Sequence, residues 1–152
     1  MAYFGALTTS PALKSSTDEA GATDMLRTAG LRPTRQRIAL TLLLFGNGNR
    51  HLSAEQLHAD AVAADIPVSL ATVYNTLNQF TRAGLLRELT VDNSRAFYDT
   101  NTSEHHHFFV EGEEDVLDVP DDSMRIEDLP EPPEGMEITR VDVVVRLRRK
   151  RY

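Results

Sequence analysis

Three consecutive histidines, His105-His106-His107, followed by Phe108-Phe109, are the residues of this 152-residue chain with the plainest capacity for chemistry. Neutral imidazole is a ligand for zinc, iron, manganese or haem iron. On a strand, alternate side chains share a face, so His105 and His107 point one way and His106 the other, and the three cannot all bind one ion. The two phenylalanines offer apolar planes on which a porphyrin could pack. His51 and His58 are the only other imidazoles, and Asp99, Glu104, Glu111 and Asp118 are the carboxylates within reach of such a site. The plain alternative is a polar cluster at the start of a strand. A hydrolytic zinc site needs about three converging protein ligands and a general base. Diverging histidines without an HExxH pattern argue against such an enzyme. With no cysteine in the chain, disulfides, a Cys₄ zinc site and a thiolate haem ligand are excluded.

A second constellation suits nucleic acid. From Val68 to Ala83 the residues Leu70, Val73, Leu77 and Phe80 recur at spacings of 3, 4 and 3, one apolar stripe of a helix. Ser69 is placed as its N-cap and Gly84 as the left-handed residue past its end. The remaining face holds Ala71, Thr72, Tyr74, Asn75 and Asn78, small or hydrogen-bonding and without a carboxylate. Short side chains allow close approach to a major groove, and Asn or Tyr can reach base edges and phosphates. An ordinary solvent-facing surface is the competing reading.

The elements that must position these groups follow in order. Residues 1–22, rich in Ala, Ser, Thr and Gly, read as a mobile arm. A short helix is expected from Asp24 to Ala29, capped by Thr23. A second runs from a Thr34 N-cap to Phe45, with Ile38, Leu42 and Phe45 inward and Arg32, Arg35 and Arg37 at its entry, where Arg32 and Arg35 suit phosphate. Ser53 and Gln56 form a capping-box pair opening a third helix with Leu57, Ala61 and Ala64 inward. After the fourth helix, the runs 85–89 and 96–99 around an Asp-Asn turn predict a β-hairpin with Arg95 near its tip. That order is a winged helix-turn-helix, with domain limits of 23–99. Residues 100–152 would form a small α/β module for dimerisation and sensing. In it, strand 116–119 stops at Pro120, a brief helix spans 121–129, and Ile138–Leu147 is the strongest strand in the chain. So small a piece is expected to complete itself against a second copy.

Charge supports the division. The net charge of −7 disfavours a DNA binder as a whole, but residues 25–98 carry eight basic against five acidic side chains. Residues 101–152 carry fourteen acidic against seven basic. No apolar run approaches the ~20 residues that span a bilayer. The N-terminus lacks the pattern of a signal peptide. A cytoplasmic protein without a membrane partner is expected.

With these pieces assembled the chain resembles the ferric uptake regulator (Fur) family. The matching segments are LRPTRQR (31–37), HLSAEQLH (51–58), SLATVYNTLNQFTRAGLL (69–86) and HHH (105–107). The resemblance implies an α+β fold, a winged helix followed by a dimerisation domain. It also implies operator DNA as partner and a regulatory metal site keeping His51, Asp99, His107 and Asp118, with a histidine lost at Phe109. The stretch DTNTSEHHHFFVEGE (99–113) is similar to the iron-responsive regulator (Irr) branch, whose members sense haem. On that resemblance His105, His106 and His107 would receive haem, with His51 or His58 less directly implicated. Operator DNA would then be released when haem binds. A regulator of the same fold answering to Mn²⁺, Fe²⁺ or Zn²⁺ is the alternative. A pure protein-interaction module would leave the face around Tyr74 unexplained.

Overall fold

The computed structural model describes residues 17–92, 95–113 and 115–152. They fall into two units, one through Ser103 and one from Glu104. Of the arm expected over residues 1–22, residues 1–16 lie outside the described residues, as do the turn residues Asn93 and Ser94, whereas residues 19–22 belong to a helix.

In the first unit α1 spans Glu19–Thr28, α2 Arg35–Phe45, α3 Ala54–Ala63 and α4 Leu70–Arg82. Each begins where a side-chain oxygen accepts an otherwise orphaned backbone N–H. The caps are Asp18, Thr34, Ser53 and Ser69. The first helix starts five residues earlier than the Asp24 that was expected, because Asp18 rather than Thr23 caps it, accepting from Gly21 N–H at 2.8 Å. At α3 the capping box is complete, with Ser53 N–H donating to Gln56 Oε1 and Gln56 N–H to Ser53 Oγ. Past α4, Gly84 adopts φ +82°, a left-handed conformation that glycine takes without a Cβ clash.

The helices bury one core, in which Leu26, Leu40, Leu44, Phe45, Leu57, Val73, Leu77 and Phe80 are fully enclosed. Three details depart from expectation. Leu70 is 36% exposed, so the stripe of α4 begins at Val73 and is filled by Thr76. On α2 the deepest residues are Leu40, Thr41, Leu44 and the expected Phe45, with Ile38 and Leu42 only half-buried. Ala64 caps the end of α3 and is exposed.

A three-stranded sheet completes this unit in the order β1-β3-β2, with β1 His51–Leu52, β2 Arg87–Asp92 and β3 Arg95–Asp99. The expected hairpin is β2-β3, with a register irregularity between Thr90 and Asp92. Strand β1 is pinned by Arg50. Its guanidinium spans Leu43 O and Asp60 Oδ2, and its N–H donates to Thr100 Oγ1.

The second unit is a small sheet in the order β5-β4-β6, with β4 His107–Val110, β5 Asp115–Asp118 and β6 Val144–Leu147. The helix expected over 121–129 is absent among the described residues. Asp122 takes φ +65°, which a right-handed helix cannot accommodate, and Ser123 N–H closes a turn on Pro120 O. The strand expected from Ile138 is only four residues long. It pairs in parallel with β4, which is itself four residues long; Val143 O still accepts from His107 N–H, and residues 138–142 lie outside that register. No helix among the described residues is long and apolar enough to cross a membrane.

Candidate functional site

In the second unit the antiparallel register of β4 and β5 sets His107 directly opposite Asp118. His105, two residues earlier, lies on the same side. Its Nε2 is 3.2 Å from Asp118 Oδ1, and that of His107 is 3.7 Å from the same oxygen. The two rings are 4.4 Å apart and tilted by 59°. One ligand atom from each of the three residues lies within 4.8 Å of the others. Both imidazoles are enclosed, with side chains 5% and 2% exposed, whereas Asp118 is 43% exposed and opens the cluster to solvent. Two imidazoles and a carboxylate suit Mn²⁺, Fe²⁺ or Zn²⁺ and leave positions for further ligands.

The triplet is split as strand alternation requires. His106 turns the other way, and its Nδ1 accepts from Val143 N–H at 3.2 Å, beside the join to β6. His105 pairs with His107 as alternation predicts, and it joins the metal-ligand candidates, among which the resemblance did not count it. Phe109, where the resemblance implies a lost histidine, is a buried sheet residue with the Arg146 guanidinium 5.6 Å from its ring centroid. The haem expectation finds no support in this geometry. His105 and His107 share a face with Asp118 between them, a donor set of the kind that holds a divalent ion.

In the first unit, strand pairing sets His51 opposite Asp99. His51 Nε2 is 3.1 Å from Asp99 Oδ2, while Asp99 Oδ1 accepts from Asn101 N–H at 2.8 Å. Asp99 is 1% exposed, so this carboxylate is held rather than solvated. Sequence reasoning named both residues but not β1, because a two-residue strand has no period to detect. His58 is structural. Its Nε2 lies 3.2 Å from Val68 O, and Gln36 Nε2 donates to Pro67 O, so together they hold the turn that delivers α4.

On α4 the residues Ser69, Leu70, Ala71, Tyr74 and Asn75 form an exposed run, with Thr72 half-covered. Ser69 is engaged as cap, its Oγ accepting from Thr72 N–H and donating to Thr72 Oγ1. Asn78 is turned toward the hairpin, its Oδ1 accepting from the Tyr98 hydroxyl. Arg32, Arg35 and Arg95 are exposed. Arg37 instead braces α2 against α4, donating to Gln79 Oε1 at 2.9 Å and to Arg32 O at 3.0 Å.

One residue of this face was missed. Glu55, in the first turn of α3, accepts a 2.6 Å hydrogen bond from the Tyr74 hydroxyl. That bond is the main reason the Glu55 carboxyl lies below the usual range and the Tyr74 phenol above its own. Nothing in the spacing of either helix signals the contact, which depends on how α3 and α4 cross.

Comparison with known proteins gives these arrangements a context. The model of the ferric uptake regulator family matches residues 28–146. The "Ferric uptake regulation protein" of Bordetella parapertussis is 33% identical over 85 residues, 56% of this chain and 61% of that protein. The "Peroxide-responsive repressor PerR" of Staphylococcus aureus is 38% identical over 87 residues, 57% of each chain. The match thus spans about three fifths of these relatives. Among solved structures, the ferric uptake regulator from Pseudomonas aeruginosa with manganese superposes with a TM-score of 0.64 at 27% identity, covering 86% of this chain and 98% of that one. The Vibrio cholerae regulator, at 23% identity and a TM-score of 0.67, supports the fold.

Proposed function

Because the chain belongs to the ferric uptake regulator family, we propose that it is a DNA-binding transcription regulator whose affinity for its operator depends on a divalent metal ion. The observation that carries this reading is the register-matched donor set His105, His107 and Asp118. In the proposed ligand set His51 and Asp99 keep the place that the resemblance assigns them. The ion would supply a fixed positive charge and a coordination geometry. The protein's own part is to hold two imidazoles as acceptors and one carboxylate ionised beside them. The exposed run on α4, with Arg32, Arg35 and Arg95, is the proposed DNA-reading surface, Arg residues contacting phosphate and Tyr74 and Asn75 the base edges. The proposed working form is a homodimer, which suits a two-fold site. The strand-forming run at 138–141, which lies outside the β4–β6 register, supports it, since an open strand end favours a second chain.

Haem competes with this reading for the same histidines, as the Irr-like stretch suggests, and one experiment separates them. A duplex enriched from a random-sequence pool is titrated with the chain in chelator, in Mn²⁺, and in haem. Manganese is the probe because the Pseudomonas aeruginosa relative is described with it. The metal reading expects Mn²⁺ to tighten binding tenfold or more, a coupling of about 1.4 kcal/mol, and His107→Ala and Asp118→Ala to lose that response. Binding that ignores Mn²⁺ and is weakened by haem would replace it with the haem reading.

A further inference from the structure

The face that α4 presents has no carboxylate of its own, yet the fold brings one to it. A negative charge beside a surface meant for a polyanion opposes association. The needs of α3 do not require the contact, because its capping box is made by Ser53 and Gln56, and an acid in its first turn serves the helix dipole wherever its side chain points. The contact does change what Tyr74 can do. A phenol has one proton to donate, and Tyr74 donates it to Glu55 at 2.6 Å. What remains at the oxygen is lone pairs.

Phosphate oxygens, guanine N7 and O6, adenine N7 and thymine O4 are all acceptors. The donors in the major groove are the amino groups of adenine N6 and cytosine N4. We infer that Glu55 is a specificity-determining residue of the DNA-reading face: by holding the proton of Tyr74 it makes the phenol an obligate acceptor, which selects a base step presenting an amino group and rejects acceptor edges and phosphate. The inference rests on the proposed DNA-reading function. The electrostatics agree with it. The same bond keeps Glu55 ionised and Tyr74 protonated around neutral pH, and the charge of Arg95 acts on Glu55 in the same direction. Without such a device a tyrosine hydroxyl rotates to donate or accept as its surroundings ask, and discriminates little.

The test uses the full chain in Mn²⁺, the duplex that it enriches from a random pool, and the set of single base-pair variants of that duplex. Glu55→Ala should raise overall affinity, since a negative charge is gone, and flatten the preference at one base-pair position by about three- to tenfold, the worth of one hydrogen bond. Tyr74→Phe should flatten the same position, and the double variant should flatten it no further. Glu55→Gln, whose amide oxygen still accepts, should keep most of the preference while sharing the gain in affinity. A preference profile unchanged by Glu55→Ala, or changed equally in the Tyr74→Phe background, overturns the inference and leaves the DNA-reading function standing. A wild-type chain that prefers no duplex overturns both.

Discussion

The two units of this chain are stabilised in opposite ways. Among the described residues the first has four capped helices around a core whose central side chains have no exposed surface. The second has three four-residue strands, and its residues from 120 to 140 are almost all exposed. A unit with a closed core holds its surface groups in place by itself, which a reading surface needs. A unit with little core must take stability from elsewhere, a metal ion or a second copy, and its stability then responds to them. The difference suits the proposed roles, DNA reading for the first unit and metal sensing for the second.

Core substitution in the first unit should have the largest effect. Phe80→Ala removes a fully enclosed aromatic ring of α4 and should cost about 3–5 kcal/mol in denaturant unfolding. The comparison would break if it cost no more than a change in the open segment of the second unit.

Alkaline pH should come next. Burial, and then the charge of Glu88, push the Tyr98 phenol up to about 12. Its native pKa is raised above the unfolded value near 10, so this contribution to stability is full below pH ~10 and lost as pH climbs through the native pKa, in total about 2–3 kcal/mol. Tyr98→Phe should flatten the loss between those pH values, read from unfolding curves. An unchanged alkaline slope would mean that Tyr98 is not the group responsible.

Smaller again, Ser69→Ala should cost about 1 kcal/mol, by removing the oxygen that caps α4. Ile138→Ser, at a residue 43% exposed and outside the β4–β6 register, should change the stability of a single chain by no more than about 0.5 kcal/mol. A larger loss that grows with protein concentration would show that residues 138–143 are buried in a dimer.

The same contrast governs how much was legible in the sequence. In the first unit the N-caps Thr34, Ser53 and Ser69, the stop at Gly84 and the hairpin were readable, because local rules and tertiary packing agree there. Asp18 was missed in favour of Thr23, since either residue can cap and only the packing of α1 on α2 decides. In the second unit local rules mislead. Residues 138–143 have strand propensity but precede the four positions at which β6 is in register with β4, and 121–129 has helix formers but a left-handed Asp122. The site was half legible. Alternation paired His105 with His107 and set His106 apart, but the β4–β5 register that places Asp118 beside them has no signal in the spacing.

The most direct measurement is therefore Mn²⁺ binding by the wild-type chain and by three single variants, followed by the electron paramagnetic resonance signal of the free ion. The account predicts that His105→Ala and His107→Ala weaken binding at least about tenfold, the loss of ~1.4 kcal/mol that one ligand supplies, while His106→Ala binds as the wild type does. If His106→Ala is as weak as the other two, or if all three variants bind normally, the split of the triplet does not define the metal site and the account is wrong.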